Sequence, residues 1–386
     1  MPSLSLRKSA YIPFLGVFCL LFLSSRLYAQ KDSVGVVPIQ KLPLPIKSPA
    51  KIRHVLVLPI IARSIETGWS FGLASASTFH LKSRDSAIRT SNAQALVLYT
   101  TRAQFVAVIN GSIYFPGERY ILNEQLSYSS FPDKFWGLGN ETQDSSKESY
   151  KFKQYYVYLH PQRLIGRNLF LGVVYEYQRV FDIEYAAGQL FDKENIVGRY
   201  GYHVSGLGLS ITYDTRNNAF SPDHGMMLQF YFDHFTRLLG SDYQYTNYVL
   251  DYRRFFRIHD GQVLAIQAYG TFNAGEVPLR SLAYLGGANS MRGYYAGRYR
   301  DKNGGVLQAE YRVPLFWRLG AVGFGGLGNV GPRLEDVNLE HLKWSYGGGL
   351  RLALNKKEKL NLRLDYGLGG LKSLSQGFYL QLGEAF

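Results

Sequence analysis

"KLNLRLDYGLG" (Lys359–Gly369) alternates without a break. Leu360, Leu362, Leu364, Tyr366 and Leu368 fall on one face of an extended chain, and Asn361, Arg363, Asp365 and Gly367 on the other, because successive strand side chains point to opposite faces. A soluble sandwich alternates too, with its apolar face inward. Segments of about ten to thirteen residues instead suit tilted strands that cross a bilayer, with apolar residues toward lipid and polar residues toward a lumen.

The same pattern recurs outward from that stretch. "YGGGLRLALN" (346–355) puts Leu350, Leu352 and Leu354 outward and Arg351 and Asn355 inward. "GGVLQAEYRVP" (304–314) puts Leu307, Ala309, Tyr311 and Val313 outward and Gln308, Glu310 and Arg312 inward. Strands are expected near 53–62, 68–80, 91–102, 104–115, 119–130, 150–161, 167–179, 203–214, 225–236, 242–256, 261–273, 304–314, 318–329, 343–355, 359–368 and 376–386. That is about sixteen, an even number as bacterial barrels have. "FPGER", "RIHDG" and "NKKEK" are short connections, whereas 131–149, 180–202, 274–303 and 330–342 are long. Short periplasmic turns and long outer loops are the asymmetry of an outer-membrane barrel. The expected fold is an all-β transmembrane antiparallel barrel.

The N-terminus predicts export. Arg7 and Lys8 precede an apolar run, Tyr11–Leu23, too short to span a bilayer, and "LYAQ" offers cleavage after Ala29. Residues 1–29 read as a signal peptide, 30–52 as a proline-rich periplasmic linker and 53–386 as the barrel. Cys19, the only cysteine, lies in the signal, so disulfides and thiolate metal sites cannot carry the fold. The net charge of +14 favours outer-membrane lipids and lipopolysaccharide as partners. No nucleic-acid motif is present.

One stretch resists the period. "GGANSMRGYYAGRYRDKNGG" (286–305) holds six glycines, three tyrosines and three arginines. Structureless loops this long are usually functional or disordered. Its "MRGY" (Met291, Arg292, Gly293, Tyr294) resembles the V-R-G-[FY] motif of the BamA/TamA superfamily of outer-membrane barrels, the bacterial surface antigens. In that family the loop folds back into the barrel and its arginine pairs with an inner-wall carboxylate. "YDTRNNAFSPDHG" (213–225) is similar to the family's periplasmic turn motif at Asp214, Thr215, Arg216, Pro222 and Gly225. "FPDKFWGLGNET" (131–142) looks like an F-x-G-x-G-N segment of shorter members. "GFYLQLGEAF" (377–386), with Phe378, Leu380, Leu382 and Phe386 in one phase, is similar to the signal that delivers barrels to the assembly machinery.

Two departures from the family pattern matter. "FGGLG" (324–328) has Gly326 where the family has aspartate. Glu310 and Asp365, both inward by alternation, are then the candidate partners of Arg292, while Arg298 is expected nearer solvent. No periplasmic POTRA modules are visible, so a short member is expected.

Enzyme signals are weak. The histidines show no serine on an adjacent strand, Asp223-His224, Asp233-His234 and His259-Asp260 read as solvated turn residues, and no catalytic group, metal or cofactor is expected. The resemblance implies help in inserting, assembling or exporting proteins or lipids, with protein clients or accessory periplasmic or lipoprotein subunits as partners. A weak lateral seam is the expected device: Pro59 removes a ladder donor from the first strand, and Gly377 and Gly383 weaken the last. The alternatives are a barrel that anchors a surface complex, or a passive channel.

Overall fold

The computed structural model describes residues 51–64, 67–81, 88–357, 359–370 and 375–386. The expected signal peptide and nearly all of the expected linker lie outside the described residues. Sixteen antiparallel strands pair in chain order as one sheet: β1 (Lys51–Ser64), β2 (Gly68–His80), β3 (Ser91–Thr100), β4 (Phe105–Tyr114), β5 (Tyr120–Phe135), β6 (Glu148–Gly166), β7 (Leu169–Tyr185), β8 (Tyr202–Asp214), β9 (Gly225–Phe235), β10 (Tyr245–His259), β11 (Gln262–Gly275), β14 (Asn303–Pro314), β15 (Leu319–Gly331), β16 (Lys343–Asn355), β17 (Leu360–Gly369) and β18 (Ser375–Leu382). A small hairpin, β12 (Ala283–Leu285) with β13 (Tyr299–Asp301), sits inside the long β11–β14 loop. The wall is a transmembrane β-barrel. Leu307, Leu350, Leu364 and Phe378 stand exposed on its outer face, and Gln308, Glu310, Arg312, Arg363 and Asp365 are buried on its inner face.

Several boundaries move. β5, β6 and β7 run well past the expected ends, because "FPDKF" and "ESYKF" continue the ladder through Pro132↔Lys151 and Phe135↔Glu148. The taller wall carries an apolar cluster at the end with the long loops. Phe131, Phe135, Tyr150, Phe152, Phe191 and Leu279 belong to one buried cluster that joins strand ends to outer loops. Asp133 fastens it, accepting from Tyr150 Oη at 3.0 Å, Tyr295 Oη at 2.8 Å and Arg280 Nη1 at 2.9 Å. Leu360, expected outward, is buried with Ala76 and Phe220. A register shift between Ala353 and Asn355 opens the β16–β17 pairing beside it.

The inner face is not polar all round. β1 to β4 turn Ile60, Ala74, Ala76, Leu98, Val106 and Val108 inward, all buried. For Ile60, Ala74 and Leu98 the reason lies at the ends of the sheet. No register joins β1 to β18 among the described residues. Instead Leu382, on the outward phase of β18, packs against the cluster of Ile60, Ala74 and Leu98. Leu362 and Leu380, also outward by phase, line one cavity of about 190 Å³ together with Ile60, Ala74 and Leu96. The end of the last strand, at Leu380 and Leu382, therefore lies against the inner face of the first strands, while Phe378 of the same face stays exposed. Burying apolar area this way contributes about 25 cal/mol per Å² without ladder bonds.

Candidate functional site

The loop after β11 folds into the lumen. A non-glycine residue, Met291, takes φ +50° and Gly293 φ +113°, so the chain reverses sharply around Arg292. The reversal lies against β17. A Cβ on Gly293 would stand 2.3 Å from the Leu368 carbonyl carbon, and one on Gly367 would stand 2.6 Å from the Arg292 carbonyl carbon. Glycine is needed on both sides for backbone to meet backbone. The Tyr294 ring covers Gly369, where a Cβ would stand 2.9 Å from it. Below, the Tyr379 hydroxyl accepts from Gly293 N at 3.0 Å, and Gly377 leaves room for that hydroxyl.

Arg292 is 2% exposed. Its guanidinium donates from Nη1 to Asp365 and from Nη2 to Glu310, and lies 3.6 Å from the centre of the Phe324 ring. Both carboxylates are shared. Arg312 donates to Glu310 at 2.8 Å, and Arg351 donates to Asp365 at 2.5 Å and to Glu384 at 2.7 Å. Arg363 stands 3.6 Å from Asp365 and donates to the Asn289 side chain at 2.5 Å. Four guanidiniums thus share three carboxylates on β14, β16, β17 and the tail. Where the family carries aspartate, Gly326 receives Met291. A Cβ there would meet the Met291 sulfur at 3.1 Å.

Arg298 is not near solvent. It is buried, donates to Thr142 Oγ1 at 2.7 Å and Thr142 O at 2.8 Å, and pairs with exposed Asp144 at 2.9 Å. It pins the 136–147 loop over the arginine loop, helped by the bridge between Gly139 and Arg300. A cation needs partners wherever it is covered, and the loop crowding that covers Arg292 covers Arg298 as well.

The turn motif does more than turn. Arg216 forks onto Asp214, with both contacts at 2.9 Å, and Arg89 adds a third at 2.5 Å. Thr215 bonds Met226, and Gly225, at φ +97°, passes where a Cβ would stand 2.2 Å from Thr215 O. Between these roots, Asn217 and Asn218 accept from backbone N–H groups of 220, 221, 223 and 224. Residues 215–224 form a self-supporting strap that crosses the periplasmic mouth. Phe220 reaches Ala76, Leu360 and Leu382, Pro222 lines the seam cavity, and Ser221 donates to Glu384 at 3.3 Å. Asp223 accepts from Lys359 at 2.6 Å and Arg257 at 2.7 Å. Burial pushes the Asp223 carboxyl up, but the bonds from Lys359, Arg257 and His224 outweigh it and hold it well below the usual carboxylate range.

The C-terminal signal is shorter than its phase suggests. Phe378, Leu380 and Leu382 keep the outward phase, but β18 ends at Leu382, and Gly383, at φ +83°, lies beyond it. The tail turns into the lumen, where Phe386 packs with Phe255, Val263 and Ala265. Pro59 sits within β1 opposite Leu73, and Gly377 within β18 opposite Gly367.

One serine–histidine pair was missed in the sequence. His160 Nε2 and Ser210 Oγ are 2.6 Å apart, and Tyr158 Oη lies 3.2 Å from Nδ1. They sit on β6 and β8 and meet across Gly172 of β7, whose missing Cβ would stand 2.4 Å from Ser210 Oγ. Both are fully enclosed, so the pair packs the wall and offers no space to a substrate. Asp233 and His234 point to opposite faces of β9.

No curated protein matches the chain in sequence. The barrel resembles that of BamA from Haemophilus ducreyi lacking POTRA domains 1–3, with TM-score 0.54 at 13% identity over 85% of this chain and 70% of that one. CdiB from Acinetobacter baumannii gives 0.55 at 14% over 84% and 59%, and CdiB from Escherichia coli 0.55 at 11% over 85% and 61%. The chain thus spans about three fifths of either CdiB. The sequence profile of the Omp85 superfamily domain matches residues 91–386, from β3 to the last residue. With that match and this barrel, the chain belongs to the Omp85 superfamily of outer-membrane β-barrels.

Proposed function

We propose that the protein assists insertion or export of polypeptides at the outer membrane by opening the contact between β1 and β18. The observation that carries the reading is the overlap of the two end strands. β1 keeps an edge with no ladder partner among the described residues, and side-chain packing by Leu382 and its neighbours holds the end of β18 against it. An unpaired edge in lipid is costly, and an extended segment can satisfy it by strand addition. Sliding β18 off the inner face of β1 breaks apolar contacts, not a row of hydrogen bonds. Arg292 and its partners act as the fixed post of this device. They tie the inward loop to β14 and β17, so β18, which is paired to β17, moves against a rigid neighbour.

The test is a cysteine pair at Ile60 and Leu382, in a chain with no cysteine after Cys19. Oxidation should abolish insertion of a reporter barrel into vesicles, and reduction should restore it. Full activity of the locked protein would refute the seam and favour a rigid anchor.

A further inference from the structure

The cavity at the overlapped seam has a mixed lining. Ile60, Ala74, Leu96 and Val108 supply one apolar wall and Leu380 and Leu382 the other. Gln94, Asn110, Gln125 and Arg216 add polar groups at its margin. The periplasmic strap closes the end nearest the turns, with Phe220 packed on Ala76, Leu360 and Leu382. Nothing in the turn chemistry of Asn217, Asn218, Pro222 and Gly225 requires a phenylalanine at the tip, since turn residues serve backbone geometry. An aromatic ring carried to the far side of a lumen, and pinned there by Asp223 to Lys359 and by Ser221 to Glu384, is an occupant.

We propose that the seam cavity is a binding site for the apolar side chains of an incoming extended peptide segment, and that Phe220 on the 215–224 strap is its resident stopper. This rests on the seam reading above. The occupant is a peptide because the site alternates apolar wall with amide groups, as a strand alternates its side chains, and because what fills its lower end is itself a peptide-borne aromatic. The strap must swing out for the cavity to fill. Apparent affinity is then reduced by the fraction of molecules with the strap open. Asp223 is the latch, since it binds two basic side chains from two other periplasmic turns, Arg257 and Lys359.

The probe is a synthetic peptide with the sequence of residues 375–386, carrying a photoreactive benzophenone in place of its first phenylalanine. It is added to the full barrel in detergent micelles, and crosslinks are mapped by mass spectrometry. Label should appear at Ala74, Leu96 or Val108, rising about tenfold in Phe220→Ala. It should vanish when cysteines at Asp223 and Lys359 are bridged by a short bifunctional reagent, and return when the bridge is cleaved. Should Phe220→Ala fail to fold, Asp223→Asn releases the latch from outside the cavity and should raise the yield in the same sense. Equal cavity labelling in wild type, released and bridged proteins overturns the stopper. Preferential labelling of the cavity by a phospholipid with a photoreactive acyl chain, which the peptide does not compete away, overturns the peptide site. Labelling confined to Val55 and Val57 of β1, whatever the state of the strap, overturns this inference and leaves the seam standing. No label anywhere on β1 to β4 overturns both.

Discussion

Arg292→Ala should weaken the barrel by about 3 kcal/mol, less than Asp365→Asn and more than Arg298→Ala. Deleting one member of a buried pair costs about 3–5 kcal/mol when the other is left bare. Here neither carboxylate is left bare, for Glu310 keeps Arg312 at 2.8 Å and Asp365 keeps Arg351 at 2.5 Å. Charge balance moves the same way. Four guanidiniums facing three carboxylates become three facing three. What is lost is the contact with the Phe324 ring, 3.6 Å from the guanidinium and of the kind worth about 0.5–2 kcal/mol, and the tether that closes the loop on β17. These place Arg292→Ala near the lower end of the range. Asp365→Asn leaves four cations facing two carboxylates and takes an anion from Arg292, Arg351 and Arg363 at once, so about 4–5 kcal/mol is expected. Arg298 pairs with Asp144, which is 64% exposed, so its ion pair contributes at most about 1 kcal/mol. The assay is urea unfolding in detergent, followed by the shift between compact and unfolded forms on gels run without boiling. Equal small losses for Arg292→Ala and Arg298→Ala, or a milder effect for Asp365→Asn than for Arg292→Ala, would refute the shared-charge account.

Gly326→Asp should destabilise the wild-type barrel, because the place of the family's aspartate is filled by Met291. Paired with Met291→Ala it should recover most of the loss, and urea midpoints of the single and double variants decide it. Asp223, held low in the folded chain, contributes stability that is present above the ordinary carboxylate range and is lost as pH falls below about 4. Limited proteolysis by pepsin should therefore begin to cut the 215–224 strap below that pH in wild type, whereas Asp223→Asn should be cut equally at every pH at which the enzyme works.

The strand count was legible because alternation survives in most wall segments, and alternation also faces Glu310 and Asp365 toward the lumen. Three features were not legible, each for a physical reason. "VLVLPII" at 55–61 is apolar on both faces, which reads as a strand without a side. Only the packing of Leu382 on Ile60, Ala74 and Leu98 shows which of its faces meets β18. The strap is written in turn residues, and asparagine, proline and glycine look the same whether a chain turns outside a barrel or folds across its mouth. Ser210 and His160 meet through two successive registers and a glycine, and register is a property of pairing that a single strand does not display. The burial of Arg298 belongs to the same class, since its partner Thr142 lies on another outer loop far away in sequence.

The buried charge and the apolar overlap divide the work between them. A charge cluster off the water is rigid, because every shift of one guanidinium alters several short contacts at once, and the low dielectric makes each costly. Apolar faces have no such directionality, so two of them can slide while losing energy only in proportion to area uncovered. The barrel places the charge cluster on β14 to β17 and the apolar contact between β18 and β1, one strand away. The tail is where they join. Glu384 belongs to the charge cluster through Arg351 and to the strap through Ser221, while Leu382, two residues earlier, belongs to the overlap. Gly383 stands between them in a left-handed conformation, the one residue type that adopts it without strain. On the seam proposed above, a hinge at that point would let β18 swing while Glu384 stays bound, which is the mechanical requirement for a seam that opens and closes again without dismantling the post it turns on.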